Sequence, residues 1–164
     1  MDIRPVQDLD APALADLLNE IIARGGTTAL EEPFTPRALA DAMLTGPDVI
    51  CCFVAQDDGG SPAGFQSLVR VEGLPDGIGD IATFSRVGWV QQGTGSRLFA
   101  ATREAARQQG LAAINATIRA DNAGGLAFYS RLGFTDHAIR RAVPLRDGTP
   151  VDRVSKRYIL RTGA

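Results

Sequence analysis

Four segments of the chain carry apolar residues at helical spacing. The clearest has them at positions i, i+3, i+4, i+7 and i+8, which is one face of a helix. Asp10 can cap this helix, and Gly25 ends it. Glycine also marks the end of the other three segments. The pattern predicts helices over residues 11–24, 36–45, 96–109 and 122–132.

Seven shorter apolar segments are rich in β-branched or aromatic residues, which favours strands. The turn sequence Asp-Asp-Gly-Gly at 57–60 joins two of them as a hairpin, and Arg-Asp-Gly at 146–148 joins the last two. The predicted strands cover residues 3–6, 49–55, 63–71, 81–85, 112–118, 134–145 and 151–160.

The order of these elements is β-α-α-β-β-β-α-β-α-β-β, which predicts an α/β fold with a mixed sheet and helices on its faces. A chain of 164 residues fits one core. The sequence contains no repeat, linker or low-complexity segment. We therefore expect a single domain spanning residues 1–164.

The composition indicates a globular protein, with 45% hydrophobic and 22% charged residues. No apolar run approaches the roughly 18 residues that a membrane span needs. The opening sequence MDIRPVQDLD carries an acid and a proline where a signal peptide has a basic and then an apolar stretch. These features predict a soluble protein of the cytoplasm with no membrane partner.

Charge is distributed unevenly between the two halves of the chain. Residues 1–80 hold fourteen Asp and Glu against four Arg, a net −10, and residues 81–164 hold five acids against thirteen bases, a net +8. A basic half in a chain of net charge −2 fits a compact polyanionic ligand better than a nucleic acid. Arginines scattered over solvated helix faces would give the same count.

Few residues are available for metal or histidine-dependent chemistry. His137 is the only histidine, so neither a zinc site of the usual kind nor a histidine triad is expected. Cys51 and Cys52 are the only cysteines and are adjacent, so in a strand they point to opposite faces. We interpret them as reduced packing residues.

The segment SRVGWVQQGTGSR at 85–97 runs from a strand end to a helix start. Gly93 and Gly95 allow a tight turn that exposes backbone N–H groups beside the positive end of the helix dipole, an arrangement that binds phosphate. A nucleotide P-loop is excluded because no Gly-Lys-Ser/Thr follows, and a dinucleotide fingerprint because Leu98 replaces its third glycine. A tight turn without a ligand remains an alternative.

A second segment, DNAGGLAFYSRLGF at 121–134, also follows a strand. Asp121 or Asn122 can cap its helix, and two glycines keep the first turn thin enough for a ligand to pass closely. Tyr129 lies on the apolar stripe of this helix. It is either a core residue with its hydroxyl at the rim or a functional group.

Together the two segments resemble the GCN5-related N-acetyltransferase (GNAT) superfamily. The resemblance rests on N-x-x-G-x-x-F-Y-x-x-x-G-F at 122–134, about 30 residues after Q-G-T-G at 92–95. It covers residues 1–140 in element order and residues 81–134 closely. The opening IRPVQDLDAPALADLLNE and the stretch EEPFTP are most similar to the phosphinothricin-acetyltransferase-like branch. The resemblance implies a mostly antiparallel central sheet.

The resemblance also implies that acetyl-CoA binds as the acyl donor, with no metal. Its pyrophosphate would meet the backbone of the glycine turn, and its pantetheine arm would lie against the end of the central strand. Asn122 would contact the arm from the other side. The implied acetyl-CoA-binding residues are Phe84, Ser85, Gln91, Gln92, Gly93, Thr94, Gly95, Ser96 and Asn122.

The implied chemistry is direct attack of an amine on a thioester. Tyr129 corresponds to the family's helix tyrosine and is the candidate acid for the leaving sulfur. Asp80, at the start of the central strand, and Glu32 are candidate bases, and Glu31 is a candidate for recognising the amine. A solvated surface position is the alternative for each of these three acids, and the sequence alone favours it. A shift of one residue in the strand would point Asp80 away from the site.

The sequence therefore predicts an acetyl-CoA-dependent N-acetyltransferase acting on a small amine, an amino acid or an analogue of one. Two alternatives stay open: a protein acetyltransferase acting on N-termini or lysines, and a non-catalytic sensor that binds coenzyme A. The long strands of the last hairpin favour a homodimer. The roles of Trp89 and His137 are undetermined at this level.

Overall fold

The structure of the protein, a computed structural model, describes residues 1–89 and 93–161. Its strands are β1 (Asp2–Pro5), β2 (Val49–Gln56), β3 (Pro62–Val69), β4 (Ile78–Ser85), β5 (Ala113–Arg119), β6 (Thr135–Pro144) and β7 (Pro150–Ile159). Its α-helices are α1 (Ala11–Arg24), α2 (Pro36–Leu39), α3 (Thr94–Gln108) and α4 (Ala123–Leu132). None of the helices in these ranges is long and apolar enough to cross a membrane.

All seven strands form one sheet in the order β1-β2-β3-β4-β5-β7-β6. Neighbouring strands run antiparallel, except that β4 and β5 in the middle of the sheet run parallel. Helix α3 makes the crossover that a parallel pair requires. The predicted α/β fold, its element order and its mixed, mostly antiparallel sheet are confirmed.

Helices cover both faces of the sheet and bury apolar side chains against each. On the face covered by α1 and α2, here called the α1 face, α1 packs against Val54, Phe65 and Phe84. On the opposite face, here called the α3 face, α3 and α4 pack against Leu68 and Ile81. Because side chains alternate along a strand, each residue of β4 or β5 is assigned to one face by its neighbours.

The two cysteines lie on opposite faces, as predicted from their adjacency. Cys52 belongs to the α1-face cluster, and Cys51 packs against the α3-face cluster. Both thiols are free, and burial raises the pKa of Cys51 to about 11 and that of Cys52 further still. At neutral pH almost no reactive thiolate is therefore present, which agrees with a packing role.

The second helix differs from the prediction because its α-helical part is only four residues long. Thr35 caps it by accepting the Ala38 N–H at 3.1 Å. The chain then widens into a π turn over Ala40–Leu44, where the Thr45 N–H donates to the Ala40 carbonyl oxygen at 2.9 Å. Gly46 permits this closure, since a Cβ there would overlap the Asp41 carbonyl oxygen. Apolar spacing alone does not reveal such a contact.

Strand β4 begins three residues earlier than predicted, at Ile78. Glycine is disfavoured in strands, so the sequence pattern around Gly79 does not predict a strand there. In the structure a Cβ on Gly79 would lie 2.9 Å from both Ile50 Cδ1 and Leu68 Cδ1. The glycine is therefore needed for packing, and the additional residues form the parallel pairing with β5.

Strand β6 is interrupted by a bulge that the sequence pattern did not predict. Ala142 has φ +54, in the left-handed region that non-glycine residues rarely adopt. Asp152 of β7 stabilises the bulge: it accepts the Ala142 N–H at 2.8 Å and pairs with Arg141 at 3.0 Å. The bulge twists the exposed outer strand of the sheet.

Candidate active site

Strands β4 and β5 separate part-way along their length. Their pairing ends at Ile81↔Ala116, although β4 continues to Ser85 and β5 continues to Arg119. Beyond that point, among the strands that the structure describes, β4 pairs only with β3, and β5 pairs only with β7. This gap, here called the β4–β5 opening, exposes one edge of β4 over residues 82–85. An extended ligand can hydrogen-bond to such an edge as an additional strand would.

The first turn of α3 lies close to the end of β4. Gly64 pairs with Ser85, and a Cβ on Gly64 would lie 2.6 Å from the Phe84 carbonyl oxygen and 3.1 Å from Thr94 Cγ2. Gly93 precedes the helix with φ +79, which favours glycine. The N–H groups and the dipole at a helix start favour an anion, so this turn beside the opening is a candidate anion site.

The structure brings most of the predicted acetyl-CoA-binding residues to this region. Gly93, Thr94, Gly95 and Ser96 form the start of α3, and Phe84 and Ser85 end β4. The predicted contacts of Gln91 and Gln92 lie outside the described residues. The Thr94 side chain is buried, so in this turn a ligand meets backbone and not the threonine side chain.

Gly95 fixes how closely α4 approaches α3. A Cβ on Gly95 would lie 2.7 Å from the Phe128 ring of α4. Because an aromatic ring is rigid, a larger residue would push α4 away from the start of α3. The glycine spacing of the turn and the Phe128–Tyr129 pair of α4 are therefore parts of one packing arrangement.

Tyr129 reaches the opening from the α3 face. Its residue is 7% exposed, and its ring packs against Phe128 and Phe134 with centroids 4.9 and 5.1 Å away. The hydroxyl oxygen lies 2.9 Å from Oγ1 of Thr83, which follows the last β4–β5 pair by two residues. Burial raises the pKa of Tyr129 to about 12, and the nearby charge of Asp80 acts in the same direction. The phenol therefore keeps its hydrogen at physiological pH.

Asp80 lies on the opposite, α1 face. It alternates with Ile81, whose side chain is in the α3-face cluster. Its Oδ1 accepts a hydrogen bond from Asn115 Nδ2 at 2.9 Å, and Asn115 Oδ1 accepts one from Arg157 Nε at 2.6 Å. Burial raises the pKa of Asp80, whereas the Asn115 hydrogen bond and the Arg157 charge lower it. The result is a carboxylate with more affinity for a proton than an ordinary aspartate.

The opening thus has a hydroxyl at one face and a carboxylate at the other. The Tyr129–Thr83 pair lies on the α3 face, and the row Asp80–Asn115–Arg157 lies on the α1 face, one pair before the last pair of β4 and β5. In acyl transfer to an amine, the attacking nitrogen loses a proton and the departing group is assisted by a proton donor. The carboxylate and the hydroxyl could serve these two roles from the two faces of the opening.

A cavity of about 270 Å³ lies on the α1 face, between the α1–α2 loop and the β6–β7 hairpin. Arg119, at the end of β5, is 8% exposed and forms one wall. Its guanidinium pairs with Asp121 at 2.7 Å and donates to the Thr28 carbonyl oxygen at 3.2 Å. Arg119 therefore holds the loop over the sheet. The cavity is lined by Ile22, Gly25, Gly26, Thr28, Leu30, Glu31, Arg119, Leu145 and Arg146.

The two acids predicted for the acceptor side both contact the hairpin. Glu31 lines the cavity, and its Oε2 accepts the Arg146 N–H at 2.9 Å. Glu32 forms an ion pair with the Arg146 guanidinium, and its side chain is 77% exposed. These contacts tie the α1–α2 loop to the hairpin. A role for either acid toward an acceptor stays a prediction.

Asn122 performs the capping role predicted for it. Its Oδ1 accepts the Gly125 N–H at 2.9 Å, and its Nδ2 donates to the Thr27 carbonyl oxygen at 3.0 Å. The second predicted cap, Asp121, instead pairs with Arg119. Asn122 therefore joins the start of α4 to the α1–α2 loop. Its predicted contact with a pantetheine arm stays a prediction.

Two residues left undetermined by the sequence have clear surroundings. The Trp89 ring stacks against the Arg86 guanidinium at 3.9 Å. Arg86 is in turn paired with Asp57 at 3.0 Å. His137 is exposed on β6 beside an irregularity in the β6–β7 pairing. Neither residue contacts Tyr129 or Asp80 among the hydrogen bonds of the described chain.

The sequence analysis did not identify four polar residues around the opening, Gln66, Thr83, Asn115 and Arg157. Gln66 Nε2 donates to Thr83 Oγ1 at 2.9 Å on the α3 face. Asn115 and Arg157 accompany Asp80 on the other face. The available signal was a polar residue within an apolar strand, as at Gln66 and Asn115, because buried polar groups need partners. Their partners lie on other strands and follow only from the sheet register.

Within residues 1–89 and 93–161 no group of three or more His, Cys, Asp or Glu side chains is arranged to hold a metal ion.

A sequence model described as the acetyltransferase (GNAT) family matches residues 14–134. No curated protein sequence matches the chain significantly.

Solved structures support the fold. A phosphinothricin acetyltransferase from Sinorhizobium meliloti, in complex with AcCoA, superposes with a TM-score of 0.87 at 18% identity, covering 99% of this chain and 90% of that one. A ribosomal-protein-alanine N-acetyltransferase from Brucella melitensis gives 0.82 at 20% identity, over 97% and 99%. A GCN5-related N-acetyltransferase from Kribbella flavida gives 0.83 at 18% identity, over 96% of each chain.

Proposed function

The chain belongs to the acetyltransferase (GNAT) family, and from that membership we propose that it transfers the acetyl group of acetyl-CoA to the amine of a small molecule. The amine is an amino acid or an amino-acid analogue. The observation that carries the proposal is the β4–β5 opening with Tyr129 on one face and Asp80 on the other.

The described residues fit acetyl-CoA as the acyl donor. The α3 N-terminus supplies unpaired N–H groups and a positive dipole for the pyrophosphate. The free edge of β4 over residues 82–85 supplies backbone groups for the amides of the pantetheine arm. The Sinorhizobium meliloti enzyme of the same fold was crystallised with AcCoA. Gln91 and Gln92 complete the proposed phosphate contacts.

Asp80 is the proposed base. An amine with a pKa near 10.4 is only about one part in 2,500 neutral at pH 7, so its proton must be removed before attack. Burial raises the pKa of Asp80, which makes the carboxylate a better proton acceptor than a solvated aspartate. Asn115 holds the carboxylate in place through a 2.9 Å hydrogen bond. Glu32 and Glu31 are further candidates for relaying a proton or attracting the amine.

Tyr129 is the proposed donor to the leaving sulfur. Its pKa of about 12 lies above the roughly 8.5 of a thiol, so complete proton transfer to a departing thiolate is unfavourable. The phenol instead donates a hydrogen bond that stabilises negative charge as it develops on sulfur. A backbone N–H on the free edge of β4 is the proposed donor to the carbonyl oxygen.

An amino-acid acceptor is favoured by the charges on the α1 face. Asp80 and Arg157 lie on either side of Asn115, which accepts from Arg157 and donates to Asp80. A zwitterion has the complementary pair of charges, with its amine directed to the aspartate and its carboxylate to the arginine. Phosphinothricin is an amino-acid analogue of this kind, and a phosphinothricin acetyltransferase shares the fold.

We also propose a homodimer through the outer strand of the sheet. Strand β6 is exposed along nearly all of its length and pairs only with β7 among the described strands. Ile139 on β6 and Ile159 at the end of β7 are 52% and 59% exposed. Apolar side chains beside a free strand edge favour association. Light scattering of the purified protein over a concentration series would give the oligomeric state.

The proposed function is tested by thermal-shift titration with acetyl-CoA, coenzyme A and ATP, followed by thiol release over a panel of amines. A ligand at 100 times its dissociation constant adds about 2.7 kcal/mol of stability. We expect stabilisation by both coenzyme A species but not by ATP, and thiol release with one or more amino acids. The panel also includes polyamines and short peptides.

Each outcome discriminates between functions. Thiol release with peptides alone would identify a protein acetyltransferase and overturn the small-molecule acceptor. Stabilisation by acetyl-CoA without turnover on any amine would favour the sensor. No shift with any coenzyme A species would contradict the whole proposal and leave the α3 turn as a structural turn.

A further inference from the structure

Three polar side chains on the α3 face form a continuous chain that ends at the proposed donor to sulfur. Gln66 of β3 is fully buried, and its Nε2 donates to Thr83 Oγ1 at 2.9 Å. Thr83 Oγ1 lies 2.9 Å from the Tyr129 hydroxyl oxygen, a distance at which either oxygen can be the donor. Gln66 and Thr83 are paired residues of adjacent strands, so the sheet register fixes this contact.

The direction of the second hydrogen bond determines what Tyr129 can do. A phenol has one hydrogen. If Tyr129 donated to Thr83, that hydrogen would point away from the opening and could not reach a leaving group. If Thr83 donates, the phenolic oxygen is the acceptor and the hydrogen is free to point into the opening.

The contacts of Thr83 favour the second direction. Its hydroxyl has one hydrogen and already accepts a hydrogen bond from Gln66. Its own hydrogen then needs an acceptor, and the Tyr129 oxygen at 2.9 Å is one. In this arrangement the Gln66 N–H, the Thr83 O–H and the Tyr129 O–H all point the same way along the chain.

We propose that Thr83 is a positioning residue that donates to Tyr129, with Gln66 fixing its orientation, so that the phenolic hydrogen points into the β4–β5 opening. This inference rests on the proposed function. In the transfer the amine nitrogen bonds to the acyl carbon, and the carbon–sulfur bond breaks with its electron pair on sulfur. The sulfur accepts the Tyr129 hydrogen bond and leaves as thiolate. The proton lost by the amine goes to Asp80 or to water.

The first test measures the hydrogen-bond direction without any turnover. The chain has two tyrosines, so 3-fluorotyrosine incorporated into a Tyr158→Phe background labels position 129 alone, and its titration is followed by ¹⁹F NMR. A hydrogen bond donated by Thr83 stabilises the phenolate. We therefore expect Thr83→Val to raise the pKa at position 129 and Thr83→Ser to leave it near the parent value. A fall in this pKa on Thr83→Val, or no change, would overturn the proposal.

Thr102→Val is the matched control for the titration. Thr102 is buried on α3, and its hydroxyl has no hydrogen-bond partner among the described residues. The substitution makes the same chemical change in the same face of the core. We expect no shift in the pKa at position 129, because Thr102 is not part of the chain that ends there.

The second test is a double-mutant cycle on kcat. We expect Thr83→Val to lower kcat about tenfold with little change in the KM for acetyl-CoA, and Thr83→Ser to restore it. If Thr83 acts through Tyr129, Thr83→Val will have no further effect in a Tyr129→Phe background. Additive effects in an active enzyme would overturn the inference alone. An inactive parent would contradict the proposed function, and the fluorotyrosine titration would still decide the hydrogen-bond direction.

Discussion

Two single residues of the proposed mechanism, Asp80 and Tyr129, have pKa values that burial raises. The raised pKa makes Asp80 a better proton acceptor, but it also lowers the free energy of unfolding at neutral pH. An ionised carboxylate that is less stable in the folded state than in the unfolded state destabilises the protein. Active-site residues commonly exchange stability for activity in this way.

We predict that Asp80→Asn stabilises the protein and impairs catalysis. The folded-state pKa of Asp80 is raised, so the cost of ionisation appears as pH rises through the unfolded-state value near 3.9 and is complete above the folded-state value. The variant should therefore melt higher at pH 7–8, with a difference that disappears toward pH 3. Turnover should fall about 10²–10⁴-fold. Thermal melts and steady-state rates across pH measure both.

Asp76→Asn is the control, because it makes the same charge change at an exposed loop residue. It should change neither the melting curve nor kcat appreciably. Wild-type turnover should itself decline as pH falls through the raised pKa of Asp80. An Asp80→Asn variant with unaltered kcat would remove Asp80 from the mechanism.

Part of the geometry of the candidate site could be predicted from the sequence. The positions of Tyr129 and Asn122 follow from one segment with recognisable spacing, helix α4 and its N-cap. The face on which the Asp80 side chain lies could not be predicted. Side chains alternate between the faces of a strand, so the prediction needs the first residue of β4, which Gly79 obscures in the sequence. Asn115, Thr83 and their neighbours were missed since their partners lie on other strands. Such contacts depend on register, which local pattern does not contain.

At the scale of elements, the start of α4 is controlled by two adjacent glycines with different surroundings. A Cβ on Gly124 would have only Asn122 Oδ1 nearby, at 3.8 Å, whereas one on Gly125 would lie 2.5 Å from Asn122 Nδ2 and 3.2 Å from Ile118 Cγ2. Asn122 both caps α4 and holds Thr27. A side chain at position 125 would therefore displace the Asn122 cap, whereas one at position 124 would not.

We predict opposite effects of alanine at these two positions. Gly124→Ala should stabilise the protein by up to about 1 kcal/mol, because alanine is the better helix former. Gly125→Ala should destabilise it by about 1–2 kcal/mol, since the cap side chain must move. Chemical denaturation measures both, and each variant is the control for the other. Equal effects would contradict the packing described for Asn122.

In the whole molecule, the elements around the candidate phosphate site come from the basic half of the sequence. Helix α3, strand β5 and helix α4 all belong to the half of net charge +8, and α1 and α2 belong to the half of net charge −10. A ligand with several phosphates at the start of α3 would therefore bind in the field of the basic half.

We predict a strong salt dependence for coenzyme A binding. Raising the ionic strength from about 0.1 to 1 M shortens the Debye length from about 10 to 3 Å. The Kd for coenzyme A, measured by calorimetry, should increase several-fold over this range. Pantetheine, which has no phosphates, is the control and should bind weakly with little salt dependence. A coenzyme A affinity that does not change with salt would contradict the electrostatic part of the account.

In the proposed mechanism Tyr129 acts on the leaving group at the β4–β5 opening. The Tyr129→Phe variant tests this role when turnover and acetyl-CoA affinity are determined on the same protein. We expect a kcat about 10²-fold lower with a Kd for acetyl-CoA within about twofold of the parent. Tyr158→Phe, the control, should behave as the parent. A Tyr129→Phe variant with parental kcat, or one whose loss of turnover is entirely a loss of acetyl-CoA binding, would contradict the claim.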